Sequence, residues 1–266
     1  MHRNRVFAAM TMSVALVAVA GTALATPPVN SAVIRPRIFN DCPTSTLTTT
    51  NNYPSQITIL DENLSCGGFA NLHNWRLSSN GTDPAVFDND SAFRLSADLT
   101  ISGTADGEGG LQVAPWWSQD VDGRFNVRST DGEVACFGGR LPFYSFTAND
   151  GVVYVKGTTI HLEVTYLANG LSMADPATIE YVVDYNGNHY SSGALAFDEG
   201  NPAEDPPYGL WGMLNDGRVG GYVQMFLQGG NPNAAVQADW SNIEFVDLKP
   251  LSVEAMNWSK IKVDYR

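Results

Sequence analysis

The sequence predicts an all-β protein in which two antiparallel sheets pack face to face as a sandwich of the jelly-roll type. Three observations support this prediction. Apolar and polar residues alternate with period two through the middle of the chain, turn-forming Gly, Pro, Asn and Asp recur at short intervals, and amphipathic helical spacing is almost absent. Many short strands without helices between them favour a sandwich and exclude a parallel α/β fold.

The N-terminal segment, residues 1–25, has the three parts of a secretory signal peptide. Arg3 and Arg5 form a basic start, Val6 to Ala20 is apolar, and Ala23-Leu24-Ala25 is a small-residue cleavage site. The apolar run is shorter than the roughly 20 residues that a membrane span needs. We therefore expect no membrane span in the mature chain, and export to the extracellular space, the periplasm or the cell surface after cleavage before Thr26.

The strand pattern is clearest in FRLSADLTISG, where Phe93, Leu95 and Leu99 alternate with Arg94 and Asp98. Similar segments follow, among them GGLQVAP, GRFNVRS, GEVACFGG, VVYVKG, TTIHLEVTYL, ATIEYVVDY, GGYVQMFLQG and ADWSNIEFVDL. The dipeptide Asn-Gly in DYNGNHY predicts a β-hairpin. We expect one sandwich domain over residues 65–248.

The two flanking segments differ from this body in composition. Residues 26–64 are rich in Pro, Ser, Thr and Asn, as in CPTSTLTTTNNYPS, and are expected to form an extended N-terminal lead-in. Residues 249–266 form a short C-terminal tail in which Lys260, Lys262 and Arg266 lie close together. This tail could pack back as one strand or helix, or serve as a secretion or attachment signal.

The charge of the chain limits its partners. The formal net charge is −13, and it becomes −15 when Arg3 and Arg5 leave with the signal peptide. Nucleic acids and anionic membranes bind clusters of Lys and Arg, so the composition argues against both as main partners. The acidic balance fits a protein that is soluble outside the cell and leaves room for bound cations.

Three cysteines remain in a compartment where disulfides persist. Cys42 and Cys66 both lie in the irregular N-terminal part, where a disulfide would fix a segment with little periodic structure, and we expect these two to pair. Cys136 lies among apolar neighbours in EVACFGG and is expected to be a buried free thiol. No base that would activate it as a nucleophile can be assigned.

Two regions resemble the concanavalin A-like lectin and glucanase superfamily, whose sandwich is also used by laminin G-like modules. They are FANLHNWRLSSNGTDPAVFDNDSAFRLSADLTISG near the start of the body, and YGLWGMLNDGRVGGYVQMFLQGG with ADWSNIEFVDL near its end. In that superfamily an early strand leads through an aspartate-rich loop, and a late apolar-Gly-apolar strand precedes the strand that closes the sandwich. The resemblance covers about residues 65–248. It implies an architecture that permits glycan chemistry but also hosts other functions.

The catalytic motifs of two families in this superfamily are not reproduced. Laminarinase-type members carry paired carboxylates as E-x-D-x-x-E on one strand, and that motif is absent from the sequence. Alginate lyase-type members carry R-x-E-x-R, Q-[IV]-H and a Tyr-rich late strand, of which only GGYVQMFLQ has a counterpart. The resemblance therefore assigns no catalytic residue.

Other titratable residues provide weaker catalytic candidates. Acid-catalysed glycoside hydrolysis needs two carboxyl groups flanking the scissile bond. The pair Asp106 and Glu108 falls in a Gly-rich turn and is expected to be solvated. In TTIHLEVTYL, alternation turns His161 and Glu163 together away from the core. The candidates are therefore Glu133, His161 and Glu163, and the alternative for this strand is a polar row that simply faces water.

Asp- and Asn-rich loops suggest calcium as the one metal to consider. DPAVFDNDS and LNDGRVGG supply the oxygen ligands that Ca²⁺ takes, although neither matches an EF-hand. Turn geometry is the alternative reason for these residues, and we favour it. His73 and His189 show no transition-metal spacing, so we assign no metal ligand and no cofactor.

The run DGEGGLQVAPWWSQDVDGRFNVR carries the candidate binding surface. It predicts two adjacent strands whose amide and guanidinium side chains point away from the core, joined by a loop that contains two tryptophans. In GGYVQMF a tyrosine and a glutamine are two residues apart, so they point to the same side of their strand. Such groups pair with sugar hydroxyls, while aromatic rings lie on sugar C–H faces. The alternative is a core tryptophan, with the arginines paired to local Asp120 and Asp122. The candidate ligand-binding residues are Gln112, Trp116, Arg124, Asn126, Arg128, Tyr222 and Gln224.

Three functions remain compatible with the sequence. The preferred one is a secreted, non-catalytic protein that binds a polysaccharide or cell-surface glycan, an acidic one if the arginines hold carboxylates or sulfates. The first alternative is a polysaccharide-degrading hydrolase or lyase with an unrecognised acid-base set, and the second is a structural surface-layer protein. Two facing carboxylates, or a Tyr, His and Arg cluster at the base of a deep groove, would favour an enzyme. A shallow face edged by aromatics would favour binding.

The signal peptide leads to a direct prediction. The secreted protein is expected to begin at Thr26, because Ala23-Leu24-Ala25 provides the small residues that signal peptidase requires. N-terminal sequencing of secreted material checks this, and a start elsewhere or retention of the whole chain in membranes would contradict it.

Overall fold

The protein is an all-β sandwich of two antiparallel sheets, as the alternation predicts. A computed structural model describes residues 26–114, 123–197 and 211–248. The first sheet has seven strands, in the order β1 (Ser31–Asn40), β4 (Ala70–Ser78), β14 (Arg218–Phe226), β6 (Gly107–Ala114), β7 (Arg124–Arg128), β8 (Val134–Phe137) and β9 (Tyr144–Ser145).

The second sheet has eight strands. Their order is β12 (Asn188–Ser191), β11 (Thr178–Tyr185), β10 (Thr159–Leu167), β5 (Phe93–Gly103), β15 (Ala235–Asp247), β3 (Gln56–Glu62) and β2 (Thr46–Asn52), and β13 (Leu195–Ala196) also pairs with β11. One short helix, α1 (Phe146–Asp150), follows β9. No helix in the described part of the chain is long and apolar enough to cross a membrane.

The core lies between the two sheets and is formed by the side chains of each strand that point inward. On β10, Ile160, Leu162 and Val164 are buried, whereas the residues between them are partly exposed. Trp75 of the seven-stranded sheet meets Trp240 of the eight-stranded sheet edge to face, with ring centroids 6.1 Å apart. Such contacts between large rings bury apolar area and fix how the sheets pack.

One local feature follows the sequence prediction and one does not. Asn186 and Gly187 both have positive φ, 52° and 78°, and join β11 to β12 in the hairpin that Asn-Gly predicts. VVYVKG alternates in burial, with Tyr154 buried and Val153 exposed, but forms no strand. The Tyr154 hydroxyl instead accepts the backbone N–H of Ile101, so this segment packs through its side chains.

The N-terminal lead-in is part of the sandwich, which corrects the expectation that residues 26–64 precede it. Strand β1 pairs with β4 in one sheet, and the β2–β3 hairpin pairs with β15 in the other. Alternation is present on β3, where Ile57, Ile59 and Asp61 point inward. The charged Asp61 at an inward position hid this pattern in the sequence, although the many threonines favour strands.

The predicted disulfide is present. Cys42 and Cys66 are bonded, with their Cα atoms 5.3 Å apart. Cys136 is a buried free cysteine, and burial raises the pKa of its thiol well above the ordinary value. A thiol that stays protonated and out of reach of solvent is not a nucleophile.

A buried polar network lies beside the disulfide, between the two sheets. The backbone N–H of Arg37 donates to His73 Nδ1 (3.0 Å), so the proton on Nε2 faces Asp61 Oδ2 at 3.2 Å. Asn71 donates to the same carboxylate oxygen at 2.7 Å. Burial raises the pKa of Asp61, but the hydrogen bonds from His73 and Asn71 outweigh it, and the net pKa is lowered.

We expect Asp61→Asn to lower the free energy of unfolding by about 3 kcal/mol at neutral pH, because it breaks a buried, hydrogen-bonded charge network. A lowered carboxyl pKa contributes stability above the unfolded-state pKa of about 4, and this contribution is lost as the pH falls through the folded-state pKa. The deficit of the variant should therefore shrink on acidification.

Urea unfolding at a series of pH values measures this deficit. Asp184→Asn is the control, since Asp184 forms an exposed pair with His189 and its loss should cost under about 0.5 kcal/mol. An Asp61→Asn deficit that does not change between neutral and acidic pH would contradict the prediction.

Candidate functional site

The side of the seven-stranded sheet that is turned away from the core carries a continuous set of polar residues, which we call the polar face. Backbone register places its members in three rows across β4, β14, β6 and β7, because directly paired residues of an antiparallel sheet point to the same side. The rows are Leu72–Gln224–Glu108–Arg128, Asn74–Tyr222–Gly110–Asn126 and Arg76–Gly220–Gln112–Arg124.

The polar face contains six of the seven residues that the sequence selects as a binding surface. They are Gln112, Arg124, Asn126, Arg128, Tyr222 and Gln224. The seventh, Trp116, lies outside the described residues, as do Asp120 and Asp122. Parity alone thus brings residues from three strands onto one surface, and their role in binding remains a prediction.

Two glycines allow side chains to touch across an intervening strand. Gly110 lies between Tyr222 and Asn126 in the register, and the Tyr222 hydroxyl donates over it to Asn126 Oδ1 at 2.6 Å. Gly220 lies between Arg76 and Gln112, and Arg76 Nη2 donates over it to Gln112 Oε1 at 2.7 Å. A larger residue at either glycine would occupy the space that these bonds cross.

Arg124 joins the rows to one another. Its guanidinium lies over the Tyr222 ring, 4.8 Å from the centroid, and donates to Glu108 Oε1 at 2.6 Å. A longer bond of 3.5 Å reaches Gln224 Oε1. A cation held over an aromatic face and against a carboxylate is fixed in position, so it offers a preorganised donor.

Glu108 was expected in a solvated turn, and the structure corrects this. It belongs to β6, is buried, and points onto the polar face between Gln224 and Arg128. Burial raises its pKa, the charges of Arg124 and Arg128 lower it, and the net direction is upward. The sequence could have shown this, because Glu108 is an even number of residues from Gly110 and Gln112 and so points to the same side of the strand. The three glycines around Glu108 made the segment look like a turn.

Two donors on the polar face lack an acceptor among the described residues. Asn126 is fully buried, and its Nδ2 has no hydrogen-bond partner even though its Oδ1 accepts from Tyr222. The Nε of Arg124 is likewise buried without a partner. Buried donors are nearly always paired, because leaving one unpaired costs about 1–3 kcal/mol. Both groups therefore have hydrogen-bonding capacity that no described residue uses.

Accessibility differs along the polar face. Tyr222 and Asn126 are fully buried, whereas the Arg128 side chain is 30% exposed at the rim. Arg128 donates to Asp131 through Nε and Nη2, at 2.7 and 2.6 Å, and its Nη2 lies 2.8 Å from Glu133. The guanidinium lowers the pKa of Asp131 to about 2. The candidate Glu133 is thus an ion-pair partner at the rim.

His161 and Glu163 lie on the opposite side of the molecule, on the outer face of the eight-stranded sheet. His161 Nδ1 is 2.6 Å from Asp98, and Glu163 is 3.6 Å from Arg94. The three catalytic candidates are therefore not brought together, since Glu133 belongs to the other sheet's rim. This arrangement matches the alternative of a polar row that faces water.

The two loops considered for calcium lie side by side. The backbone N–H of Asn89 donates to Asn215 Oδ1 at 2.9 Å, and Phe87 pairs with Gly217. Within the described ranges, no three His, Cys, Asp or Glu side chains are arranged to hold a metal ion. These contacts hold the two loops together, and calcium binding stays a prediction.

Comparison with known proteins shows similarity in architecture only. No family model matches the chain, and no curated protein does. Among solved structures, it is similar to the family 7 alginate lyase A1-II′ in complex with substrate, with 10% identity, 75% of this chain and 81% of that chain covered, and a TM-score of 0.43. It is also similar to the alginate lyase from Klebsiella pneumoniae, with 10% identity, 75% of this chain and 84% of that chain covered, and a TM-score of 0.41.

Peanut lectin is a further neighbour, with 14% identity, 81% of this chain and 97% of that chain covered, and a TM-score of 0.33. Lyases and a lectin are thus found among proteins with this type of β-sandwich. At such distances no residue role passes from them to this chain, and the roles of the polar-face residues are argued from their own contacts.

We expect Gly110→Ala to destabilise the protein by about 3 kcal/mol, because its Cβ would lie 1.8 Å from the carbonyl oxygen of Phe125 and force the backbone apart. Gly67→Ala is the matched control, since a Cβ there meets nothing within 4 Å. Thermal and urea unfolding of both variants measure the difference. Equal stability of the two would show that the β6–β7 pairing tolerates a side chain.

Proposed function

We propose that the protein is an exported glycan-binding protein and that a polysaccharide or cell-surface glycan lies along the polar face. The observation that carries this proposal is a pair of buried donors, Asn126 Nδ2 and Arg124 Nε, for which the described residues supply no acceptor. Both lie on a face that also carries amides, guanidinium groups and a tyrosine. Sugar hydroxyl and ring oxygens are acceptors of the kind that these donors lack.

The geometry suits an extended and weakly bound ligand. Each hydrogen bond to sugar replaces one to water at a small net gain, so affinity accumulates along the chain of sugars. Gln224 and Arg128 belong to the row beside Asn126, and that row ends at the more exposed rim, where a polymer can pass out of the site. The ligand reaches the buried members from this side.

The partners of the arginines leave the charge of the ligand open. Arg124 is paired with Glu108, and Arg128 with Asp131 and Glu133. An acidic sugar must share these guanidinium groups with the protein's own carboxylates, whereas a neutral sugar needs only the free donors. Acidic and neutral glycans are therefore both candidates, and the experiment below compares them.

Export agrees with the disulfide, because such bonds persist in oxidising compartments. A structural surface-layer role is the weaker alternative, since it gives no reason for buried unpartnered donors. Polysaccharide cleavage is a second candidate function, favoured by one observation: Glu108 is a buried carboxyl with a raised pKa beside Arg124 and near Tyr222. A carboxyl of this kind can act as a general acid.

Asn126→Asp is the sharpest test of binding. It keeps the oxygen that accepts from Tyr222 but replaces the Nδ2 donor with a second acceptor, so we expect affinity for a bound glycan to fall at least about tenfold. Glycan arrays carrying neutral and acidic polysaccharides identify the ligand, and calorimetry measures the affinity.

Asn52→Asp, at the exposed edge of the other sheet, is the control and should bind like the parent. Circular dichroism confirms that both variants are folded. The proposal fails if no glycan binds, or if Asn126→Asp binds as tightly as the parent. Release of shortened products that stops in Glu108→Gln would replace it with the cleavage function.

A further inference from the structure

Phe69 and Phe226 are in ring contact where the polar face ends, and Phe39 lies on the neighbouring strand β1. We call these three residues the aromatic end. Phe69 is 60% exposed and Phe39 is 45% exposed. The rings of Phe69 and Phe226 are in contact, with centroids 5.6 Å apart. Single exposed apolar residues are common, but neighbouring large ones form a patch that usually marks an interaction site.

The aromatic end is continuous with the polar face. Phe39 pairs with Leu72, which begins the row that continues through Gln224 to Glu108. Phe226 is two residues beyond Gln224 on β14, so it shares that residue's side of the sheet. A chain that leaves the polar face along β14 therefore meets the aromatic rings next.

Phe69 is held in place by its backbone. Its N–H donates to Asp41 Oδ2 at 2.7 Å, and its carbonyl accepts from the N–H of Leu227 at 3.0 Å. The disulfide between Cys42 and Cys66 ties together the segments on either side. An exposed ring on a fixed backbone loses little conformational freedom when a ligand stacks on it.

We propose that the aromatic end is a second subsite, where a pyranose ring of the same glycan chain stacks its C–H face on Phe69 and the adjoining rings. This inference rests on the proposed function. Phenylalanine offers no hydrogen bond, so the subsite takes the apolar face of a sugar and leaves its hydroxyls in water. The polar face supplies hydrogen bonds and the aromatic end supplies stacking, on one continuous track.

The spacing of the two subsites makes the affinity depend on ligand length. Tyr222 and Phe226 are four residues apart on β14, which is about 13 Å at roughly 3.3 Å per residue. A disaccharide can occupy one subsite, whereas a longer chain engages both and gains from the linkage between them.

Calorimetry with two oligosaccharide series tests this subsite. Cello-oligosaccharides are the neutral series and oligoalginates the acidic one, each from the disaccharide to the octasaccharide. The parent should bind the longer members more tightly. In Phe69→Ala this dependence on length should flatten, with affinity for the octasaccharide falling about tenfold, the size of one lost stacking contact.

Three variants make the result specific. Phe69→Leu keeps an apolar side chain without a ring and should show the same loss, which guards against a folding defect in the alanine variant. Phe143→Ala removes a ring that is 71% exposed near β9, at the other edge of the sheet, and should bind like the parent. Asn126→Asp should weaken binding of every length that reaches the polar face.

The outcomes separate the two proposals. If neither series binds the parent at any length, the proposed function fails and the subsite fails with it. If the parent binds but Phe69→Ala and Phe69→Leu retain its full dependence on length, only the subsite is overturned. If the substitutions instead abolish a dimer in sedimentation experiments and leave binding unchanged, the aromatic end is a contact between copies.

Discussion

Glycine at positions 110 and 220 allows the side chains of the polar face to form hydrogen bonds across an intervening strand. In an antiparallel sheet, side chains on alternate strands are about two strand spacings apart, and a residue on the strand between normally separates them. With glycine there, Tyr222 reaches Asn126 and Arg76 reaches Gln112. The sheet surface thereby becomes one hydrogen-bonded layer.

That layer carries a cost in folding free energy, which is a reason to look for a function that requires it. Arg124 and Glu108 are both nearly buried, with 12% and 10% of their side chains exposed, and burying such a pair removes two charges from water. Well-packed apolar residues of the same size would commonly be as stable or more stable. The same layer holds two donors, Asn126 Nδ2 and Arg124 Nε, that find no acceptor in the described part of the chain. Stability alone does not explain this arrangement, and the proposed ligand binding would give it a reason.

The sequence predicted the sandwich, the disulfide pair and the outward parity of the polar face because each depends on local information. Period-two alternation on β6, β7 and β14 sets which side chains share a side, whatever the order of the strands. The lead-in was assigned wrongly because Asp61 interrupts its apolar pattern. The burial of that carboxylate is compensated by hydrogen bonds that include those from His73 and Asn71 on another strand.

Contacts between residues far apart in the chain could not be predicted from local sequence patterns either. Glu108 lies 116 residues from Gln224 in the chain, yet the two side chains are hydrogen-bonded. His161 and Glu163 were correctly placed on one side of β10, but alternation does not say which sheet contains β10. The aromatic end was missed because Phe39, Phe69 and Phe226 come from three separate strands or strand ends.

The disulfide has a consequence for how the molecule behaves among its own copies. Cys42 follows β1 and Cys66 precedes β4, two strands of one sheet, while the loop closed between them contains the β2–β3 hairpin of the other. Strand β2 is an edge strand, and an unpaired edge is a template for joining another chain. The crosslink keeps that edge docked against its own sandwich. In a reducing solution this corner would be the first to loosen and the first to seed aggregation.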